Sequence, residues 1–162
     1  MKRVMFPGSF DPITNGHLET VEQACQMFDE VDVVVMTNTR KKYLFTQNER
    51  VSFINKIFEK NSQVKVYAFP EKLTVDVAQK LKANIIIRGL RNSEDFIYEQ
   101  KIATINQTLA PEIKTVFVMA SPQNSFISSS MIKEVATFNG DIQKLVPDIV
   151  AKALHQKLGK SS

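Results

Sequence analysis

Apolar residues along the chain follow two patterns: short continuous runs, and longer segments in which every third or fourth residue is apolar. Continuous runs bounded by turn residues predict buried strands, whereas the wider spacing predicts amphipathic helices. The predicted strands cover residues 4–6, 30–36, 64–69, 85–87 and 115–119. Each of these runs is followed by a segment with helical spacing.

Capping residues and apolar spacing indicate where the predicted helices begin. The first follows a cap at Thr14 or Asn15, the second opens with the capping box Thr46–Glu49, and the third covers Thr74–Leu81. Two further helices end the chain. The fourth helix covers residues 94–109 and aligns four apolar side chains on one face: Tyr98, Ile102, Ile105 and Leu109.

Nearly continuous apolar strands that alternate with helices indicate a parallel sheet covered on both faces. The sequence therefore predicts an α/β fold, a doubly wound, Rossmann-like parallel sheet of five strands with C-terminal helices. We expect the strand order 3-2-1-4-5, which makes the first and fourth strands neighbours. In such sheets the ligand lies beyond the carboxyl ends of the strands, so the loops after the strands matter most.

Composition narrows the class of protein. The 162 residues, 43% of them hydrophobic, predict a single domain over residues 1–162. No apolar run approaches the length of a membrane span, and the start does not resemble a signal peptide, so we expect a cytoplasmic protein without a membrane partner. The net charge of +4 is spread along the chain, which favours an acidic small molecule over a nucleic acid.

The loop after the first strand, residues 7–17, is the most informative segment and is called the phosphate loop below. Gly8 and Gly16 lack a Cβ, so the backbone there can approach a ligand closely, and Pro7 stiffens the turn. The helix start that follows is a ready anion site, with His17 beside it. A plain helix cap is the alternative interpretation of His17.

Three other loops after strands carry chemistry. They contain Lys41, the pair Arg88 and Arg91, and the run Ser128–Ser130. With the expected strand order, His17 and the two arginines face one crevice, where guanidinium groups suit phosphates. Surface charges and simple N-capping by the serines are the alternatives.

Absent motifs exclude several kinds of chemistry. The chain has neither a P-loop motif nor the glycine fingerprint of dinucleotide-binding proteins. Two histidines and one cysteine make a zinc site or a Cys/His catalytic pair unexpected, and we predict no protein-bound metal. Electrostatic catalysis by histidine, lysine, arginine and helix N-termini remains.

Two motifs together resemble those of the nucleotidyltransferase superfamily. Thr14-x-Gly16-His17 looks like the T/H-x-G-H motif, and Ile127–Lys133 looks like the I-S-S-S-x-x-R/K motif. Nearly the whole chain resembles the bacterial phosphopantetheine adenylyltransferases. The segments that carry this resemblance are 7–12, 87–91, 95–99 and 125–130.

The resemblance implies transfer of AMP from ATP to 4′-phosphopantetheine, which gives dephospho-coenzyme A and pyrophosphate in the penultimate step of coenzyme A synthesis. It also implies Mg²⁺ carried with ATP and a homohexamer. Coenzyme A contains the pantetheine arm and an adenylate, so we expect it to act as a feedback inhibitor that competes for the same crevice.

By the same resemblance, individual residues fall at substrate positions. The acceptor positions are Ser9, Lys41, Thr74 and Arg88, although an apolar residue is expected in place of Thr74. The ATP positions are Ser9, Phe10, His17, Gly89, Leu90, Arg91, Glu99, Asn124, Ser125, Phe126, Ile127, Ser128, Ser129 and Ser130, although the position of Asn124 is often aromatic.

The expected catalytic residues are His17, Lys41 and Arg91. A phosphate monoester is already an anionic nucleophile, so charge stabilisation and positioning suffice for its attack on the α-phosphorus of ATP. We expect His17 to be neutral, because a helix N-terminus disfavours the imidazolium. The alternatives are another nucleotidyltransferase, acting on nicotinate mononucleotide or glycerol phosphate, and a nucleotide-sensing domain without turnover.

Overall fold

Five parallel strands form one sheet in the computed structural model, which describes residues 1–159. The strand order is β3-β2-β1-β4-β5, which confirms the predicted α/β fold and strand order. The strands are β1 (Arg3–Gly8), β2 (Glu30–Thr37), β3 (Val64–Pro70), β4 (Ile85–Leu90) and β5 (Lys114–Met119).

The helices follow the predicted order. Thr14 and Thr46 cap the first two helices, and each cap is a complete capping box. In each box, the side chain of the third helical residue accepts a hydrogen bond from the backbone N–H of the cap residue. The helices within the described residues are α1 (Asn15–Met27), α2 (Gln47–Ile57), α3 (Thr74–Leu81), α4 (Ser93–Leu109), α5 (Ser129–Thr137) and α6 (Asp148–Leu158). Within residues 1–159, none of these helices combines the length and apolar character that a membrane span requires.

The fourth strand is longer than the apolar run that predicted it. Arg88 pairs with Phe117 and Leu90 pairs with Met119, so β4 continues three residues past Ile87. Arg88 and Gly89 therefore lie within the strand and not in the loop after it. Backbone pairing with β5 overrides the change from apolar to polar side chains here.

Alternate strand residues supply two apolar layers, one on each face of the sheet. Val4, Phe6 and Val33 pack with residues of α1, α2, α5 and α6 on one face. Met5 and Val34 pack with α3 on the other face. Gly89 lets α1 approach the sheet, because a Cβ there would lie 2.7 Å from Thr20 Oγ1.

The apolar face predicted for α4 lies largely at the surface. Tyr98, Ile105 and Leu109 are 64%, 59% and 55% exposed, and the buried residue of this helix is Glu99. The helix forms as predicted, but this apolar stripe is not its core contact. An exposed stripe of this kind marks a surface that a partner can cover.

Charged residues cluster at the amino ends of the strands, away from the predicted crevice. Asp32 on β2 is fully buried, and neither of its carboxylate oxygens accepts a hydrogen bond within the described residues. The nearest cation is Arg3, whose Nε lies 3.6 Å from Asp32 Oδ2, while Lys65 pairs with Glu30 at 2.6 Å. Burial raises the pKa of Asp32 to about 6.

We expect Asp32 to make the free energy of unfolding depend on pH. The pKa of Asp32 in the folded state lies above its unfolded value. The stabilisation from the protonated carboxyl is therefore fully present below about pH 4 and is lost as the pH rises through about 6. Asp32→Asn should remove about 1–3 kcal/mol of this dependence. Denaturant unfolding of both proteins at pH values on either side of this range measures it, and equal pH dependence in the two proteins would refute the assignment.

Candidate active site

A cavity of about 460 Å³, called the main cavity below, opens at the carboxyl ends of β1 and β4. Its wall combines the phosphate loop, part of the loop after β2, the end of β4 with the start of α4, and the start of α5. The predicted site residues that line it are Ser9, Phe10, His17, Lys41, Arg88, Gly89, Arg91, Glu99, Asn124, Ile127, Ser128, Ser129 and Ser130.

A second cavity of about 210 Å³, called the side cavity, shares five lining residues with the main cavity: Pro7, Gly8, Ser9, Arg88 and Glu99. Thr74 lines this cavity and not the main one. The rest of its wall is mostly apolar and includes Met36, Ile86, Ile102 and Ala103. The site therefore joins a charged compartment to an apolar one.

Three predicted ATP residues line neither cavity. Leu90 is buried in β4, and its carbonyl accepts a hydrogen bond from the Ala120 N–H. Phe126 is 56% exposed, and the Ser125 hydroxyl donates to the Pro122 carbonyl at 3.0 Å. Their contact with ATP stays a prediction.

The phosphate loop contains a strained backbone position. Phe10 has a φ of 48°, a left-handed conformation that bulky residues rarely adopt. Its ring is buried and packs edge-on to Phe6 and His17, with centroid distances of 5.2 and 5.1 Å. A Cβ on Gly8 would lie 3.0 Å from the Phe10 ring, so Gly8 makes room for this ring. Packing of aromatic rings thus fixes the conformation of the loop.

His17 is held by the cap of its own helix. The Thr14 N–H donates to His17 Nδ1 at 3.0 Å, so this nitrogen acts as an acceptor. In a neutral ring the proton then lies on Nε2, which leaves an N–H donor on a side chain that lines the main cavity. Burial, together with the positive charges of Arg88 and Arg91, lowers the pKa of His17 to about 4. The structure thus indicates a neutral His17, with burial as the largest cause.

The start of α1 offers fewer free donors than its sequence predicts. The Asn15 N–H donates to the Leu145 carbonyl at 3.0 Å, and the His17 N–H donates to Thr14 Oγ1 at 3.3 Å. Within the part of the chain that the structure describes, the Gly16 N–H is the donor of this turn left for a ligand. A Cβ on Gly16 would lie no closer than 3.5 Å to a protein atom, so the space beside it belongs to the cavity.

The three serines at the start of α5 have different roles. The Ser128 hydroxyl accepts a hydrogen bond from the Met131 N–H at 3.1 Å and is the N-cap. The Ser129 hydroxyl donates to the Pro12 carbonyl at 2.9 Å, which ties α5 to the phosphate loop. Ser130 lines the main cavity, and its hydroxyl has no partner among residues 1–159. Capping explains Ser128, while Ser130 is free for a ligand.

This division predicts opposite results for two alanine variants. Ser128→Ala should lower the free energy of unfolding by about 1 kcal/mol, because it removes a cap. Ser130→Ala should leave the melting temperature unchanged and weaken ATP binding by about three- to tenfold, as expected for one lost hydrogen bond. Thermal melts and ATP titrations on both variants measure these effects. Intact ATP binding in Ser130→Ala would contradict a phosphate contact at this hydroxyl.

Two arginines of the main cavity are braced by carboxylates from α4. Arg88 donates from Nε and Nη2 to Glu99 at 3.0 and 2.7 Å, and its Nη1 donates to the Pro7 carbonyl. Arg91 donates from Nε and Nη2 to Asp95 at 2.9 and 3.0 Å, and from Nη1 to the Ile127 carbonyl at 3.2 Å. The hydrogen bond from Arg91 holds the pKa of Asp95 below its usual value.

The braces leave both arginines able to bind a ligand. A guanidinium carries five N–H donors, and the contacts above use three of them in each arginine. Two donors therefore remain on each side chain, which is enough for a bidentate phosphate contact. The carboxylates fix the orientation of the guanidinium groups before any ligand arrives.

Several polar residues that line the main cavity are absent from the predicted site, among them Asp11 and Lys133. The Asp11 carboxylate accepts hydrogen bonds from the Leu44 and Phe45 N–H groups, both at 2.9 Å, and lies 3.3 Å from Lys133 Nζ. Lys133 is the last residue of the Ile127–Lys133 motif and follows Ser129 by four residues, so the motif and its helical spacing could have placed both on one face of α5. No local signal identifies Asp11, because its partners are distant in sequence.

Comparison with known proteins places the chain in a family. Residues 5–135 match the family described as cytidylyltransferase-like. Phosphopantetheine adenylyltransferase from Lactobacillus acidophilus is 57% identical over 98% of both chains. The protein of the same name from Lactobacillus johnsonii is 56% identical over 98% of this chain and 95% of its own. The one from Levilactobacillus brevis is 48% identical over 98% of each.

A solved structure shows the same fold at much lower sequence identity. The nicotinic acid mononucleotide adenylyltransferase of Plasmodium falciparum, complexed with NaAD, has a TM-score of 0.69 and 18% identity, with 96% of each chain covered. The fold is therefore shared more widely than the sequence. The chain belongs to the cytidylyltransferase-like nucleotidyltransferases and, among them, to the phosphopantetheine adenylyltransferase family.

Proposed function

We propose that this chain transfers AMP from ATP to 4′-phosphopantetheine, which yields dephospho-coenzyme A and pyrophosphate. One observation carries the proposal: a charged cavity lined by His17 and five lysine and arginine side chains shares a wall with a mostly apolar cavity. The charged cavity suits the phosphates of both substrates, and the apolar cavity suits the uncharged pantetheine arm.

The wall that the two cavities share supports one arrangement of the two substrates. Arg88 lines both cavities, so its two free donors lie where an acceptor in the side cavity presents its phosphate to the main one. Arg91 bonds to the Ile127 carbonyl beside the start of α5. This arginine and the free hydroxyl of Ser130 hold the β- and γ-phosphates of ATP at the start of α5.

His17 and Lys41 act on the phosphate that is transferred. An oxygen of the acceptor phosphate forms a bond to the α-phosphorus, and the bond from this phosphorus to the α–β bridging oxygen breaks. Its electron pair leaves with pyrophosphate, and no proton has to be removed from the nucleophile. The Nε2–H of His17 and the ammonium of Lys41 stabilise the charge that develops on the α-phosphate oxygens.

The protein offers little to hold a magnesium ion of its own. Among residues 1–159, no group of three histidine, cysteine, aspartate or glutamate side chains is placed to bind a metal. The cavity carboxylates Asp11, Asp95 and Glu99 are engaged by backbone N–H groups, Lys133 and the two arginines. We therefore assign Mg²⁺ to the phosphates of ATP, as a part of the substrate, and no step above depends on it.

The exposed face of α4 supports a homo-oligomer, for which we propose the hexamer that the family resemblance implies. Ile97, Tyr98, Ile105 and Leu109 each expose more than half of their surface, an arrangement more typical of an interface than of solvent-facing helix. Light scattering should give a hexamer for the wild type and smaller species for Ile105→Glu. A monomeric wild type would contradict this assembly.

Coenzyme A contains both an adenylate and a pantetheine arm, so we propose that it binds across the two cavities and competes with phosphopantetheine. A cytoplasmic location and a single domain over the full chain stay predictions.

Pyrophosphate release tests the proposed function. The protein is mixed with ATP, Mg²⁺ and one acceptor at a time: 4′-phosphopantetheine, nicotinate mononucleotide or glycerol phosphate. We expect release with 4′-phosphopantetheine alone. Release with only nicotinate mononucleotide or glycerol phosphate would support another nucleotidyltransferase, and ATP binding without release would support a nucleotide-sensing domain.

A further inference from the structure

Arg50 on α2 is a buried cation that the mechanism above does not use. Its side chain is 1% exposed, and it does not line either cavity. A buried charge is costly unless its donors are satisfied. The contacts that satisfy Arg50 are with backbone carbonyls, a hydroxyl and an aromatic ring.

These contacts join three segments at the site. Arg50 Nη1 donates to the Ser9 carbonyl of the phosphate loop at 2.8 Å, and Nη2 donates to Thr37 Oγ1 at 2.9 Å. Its Nε donates to the Phe45 carbonyl at 3.2 Å. Thr37 and Phe45 flank Lys41 in sequence. One side chain therefore fixes both ends of the Lys41 loop relative to the phosphate loop.

A second connection runs through Tyr43 to the residues around Lys41. The guanidinium carbon of Arg50 lies 4.2 Å from the centroid of the Tyr43 ring, a cation–π contact. The Tyr43 hydroxyl accepts a hydrogen bond from the Asn38 N–H at 2.9 Å. The Asn38 carbonyl in turn accepts one from the Lys41 N–H at 2.9 Å, which closes the turn at residues 38–41, called the Lys41 turn.

We infer that Arg50 and Tyr43 are positioning residues that hold the Lys41 turn against the phosphate loop during AMP transfer. The inference rests on the proposed function, in which Lys41 stabilises the transferred phosphate. Lys41 is exposed on a loop, and a flexible side chain on a mobile backbone would forfeit the gain from correct placement. The contacts of Arg50 and Tyr43 restrict the backbone on which the Lys41 side chain is carried.

Two conservative variants test the inference. Tyr43→Phe keeps the ring and removes the hydroxyl that accepts from Asn38, and Arg50→Lys keeps the charge and removes the planar fork. We expect kcat to fall about three- to tenfold in Tyr43→Phe, the loss that corresponds to one hydrogen bond, and about tenfold in Arg50→Lys, with the KM for ATP nearly unchanged. Tyr67→Phe is the matched control, because Tyr67 lies on β3 outside both cavities, and it should keep the wild-type kcat.

A double-mutant cycle separates positioning from general stabilisation. In a Lys41→Ala background, neither Tyr43→Phe nor Arg50→Lys should lower the residual kcat further, because the group that they position is gone. Losses that multiply independently of Lys41, or wild-type kcat in Tyr43→Phe, would overturn the inference. If Arg50→Lys shows no cooperative melting transition, that variant is not folded, and the cycle of Tyr43→Phe with Lys41→Ala alone tests the inference. A wild type without pyrophosphate release would refute the proposed function itself, which is a distinct outcome.

Discussion

Replacing His17 with alanine should lower kcat by about 10²- to 10³-fold and leave the affinity for ATP nearly unchanged. The reason is that the Nε2–H donates to charge that develops only in the transition state, as the donors of an oxyanion hole do. Steady-state kinetics gives kcat, and calorimetric titration with ATP gives the dissociation constant. His155→Ala is the matched control, because His155 is exposed on α6, and it should behave as the wild type.

The variant His17→Gln distinguishes a donor from a general base. Glutamine at the third helical position can keep the capping-box contact to Thr14, and its amide N–H can still donate, but it cannot carry a proton. We therefore expect Gln to retain more of kcat than Ala does. Equal losses of kcat in the two variants would favour a general base. Wild-type turnover in His17→Ala would show that His17 serves only as a helix cap.

The pH dependence of the wild type should agree with this assignment. The pKa of His17 is lowered to about 4 by burial and by the nearby arginines, so the ring is neutral over the physiological range. We expect no ionisation between about pH 5.5 and 8 that disappears in His17→Gln. A single ionisation in this range that the substitution removes would show that the ring carries the proton.

Arg88→Ala should lower kcat/KM for 4′-phosphopantetheine by about 10- to 150-fold, the loss expected for a charge-assisted bidentate contact. The KM for ATP should change much less, because Arg88 lies on the wall that the main cavity shares with the side cavity. Initial rates with each substrate varied in turn measure both constants. An unchanged kcat/KM for 4′-phosphopantetheine would show that Arg88 does not bind the acceptor.

The brace on Arg88 requires a matched control. Glu99 is 7% exposed and loses its partner in Arg88→Ala, so part of the effect could come from an unpaired carboxylate. The double variant Arg88→Ala/Glu99→Gln removes that charge and should recover stability without recovering acceptor use. Arg40→Ala, at an exposed arginine beside Lys41 that lines neither cavity, should leave the acceptor constants unchanged.

Much of the fold could be predicted because its signals are local. Capping residues and apolar periodicity located the helices, and the bounds of α3 agree with the prediction residue by residue. The end of β4 was missed because backbone pairing with β5 continues where the side chains turn polar. The apolar stripe on α4 was identified, but its exposure could not be read from spacing, since a stripe at an interface and a stripe in a core have the same period.

The site was predictable as a set of residues and less so as a set of contacts. Loops after neighbouring parallel strands meet at one edge, which is why His17, Arg88 and Arg91 share a cavity. Asp95 follows Arg91 by only four residues, a spacing that the sequence does show, whereas the pairs Arg88–Glu99, Asp11–Leu44 and Arg50–Ser9 are 11, 33 and 41 residues apart. These distant contacts depend on packing and leave no local pattern.

Direct transfer between two bound phosphates, without an adenylated protein side chain, is the central claim of the proposed mechanism. The stereochemistry at the α-phosphorus tests it. ATP that carries a sulfur of known configuration on this phosphorus is turned over with 4′-phosphopantetheine, and the configuration of the product is determined. A single in-line displacement predicts inversion, whereas retention would require a second displacement through a covalent intermediate and would contradict the mechanism.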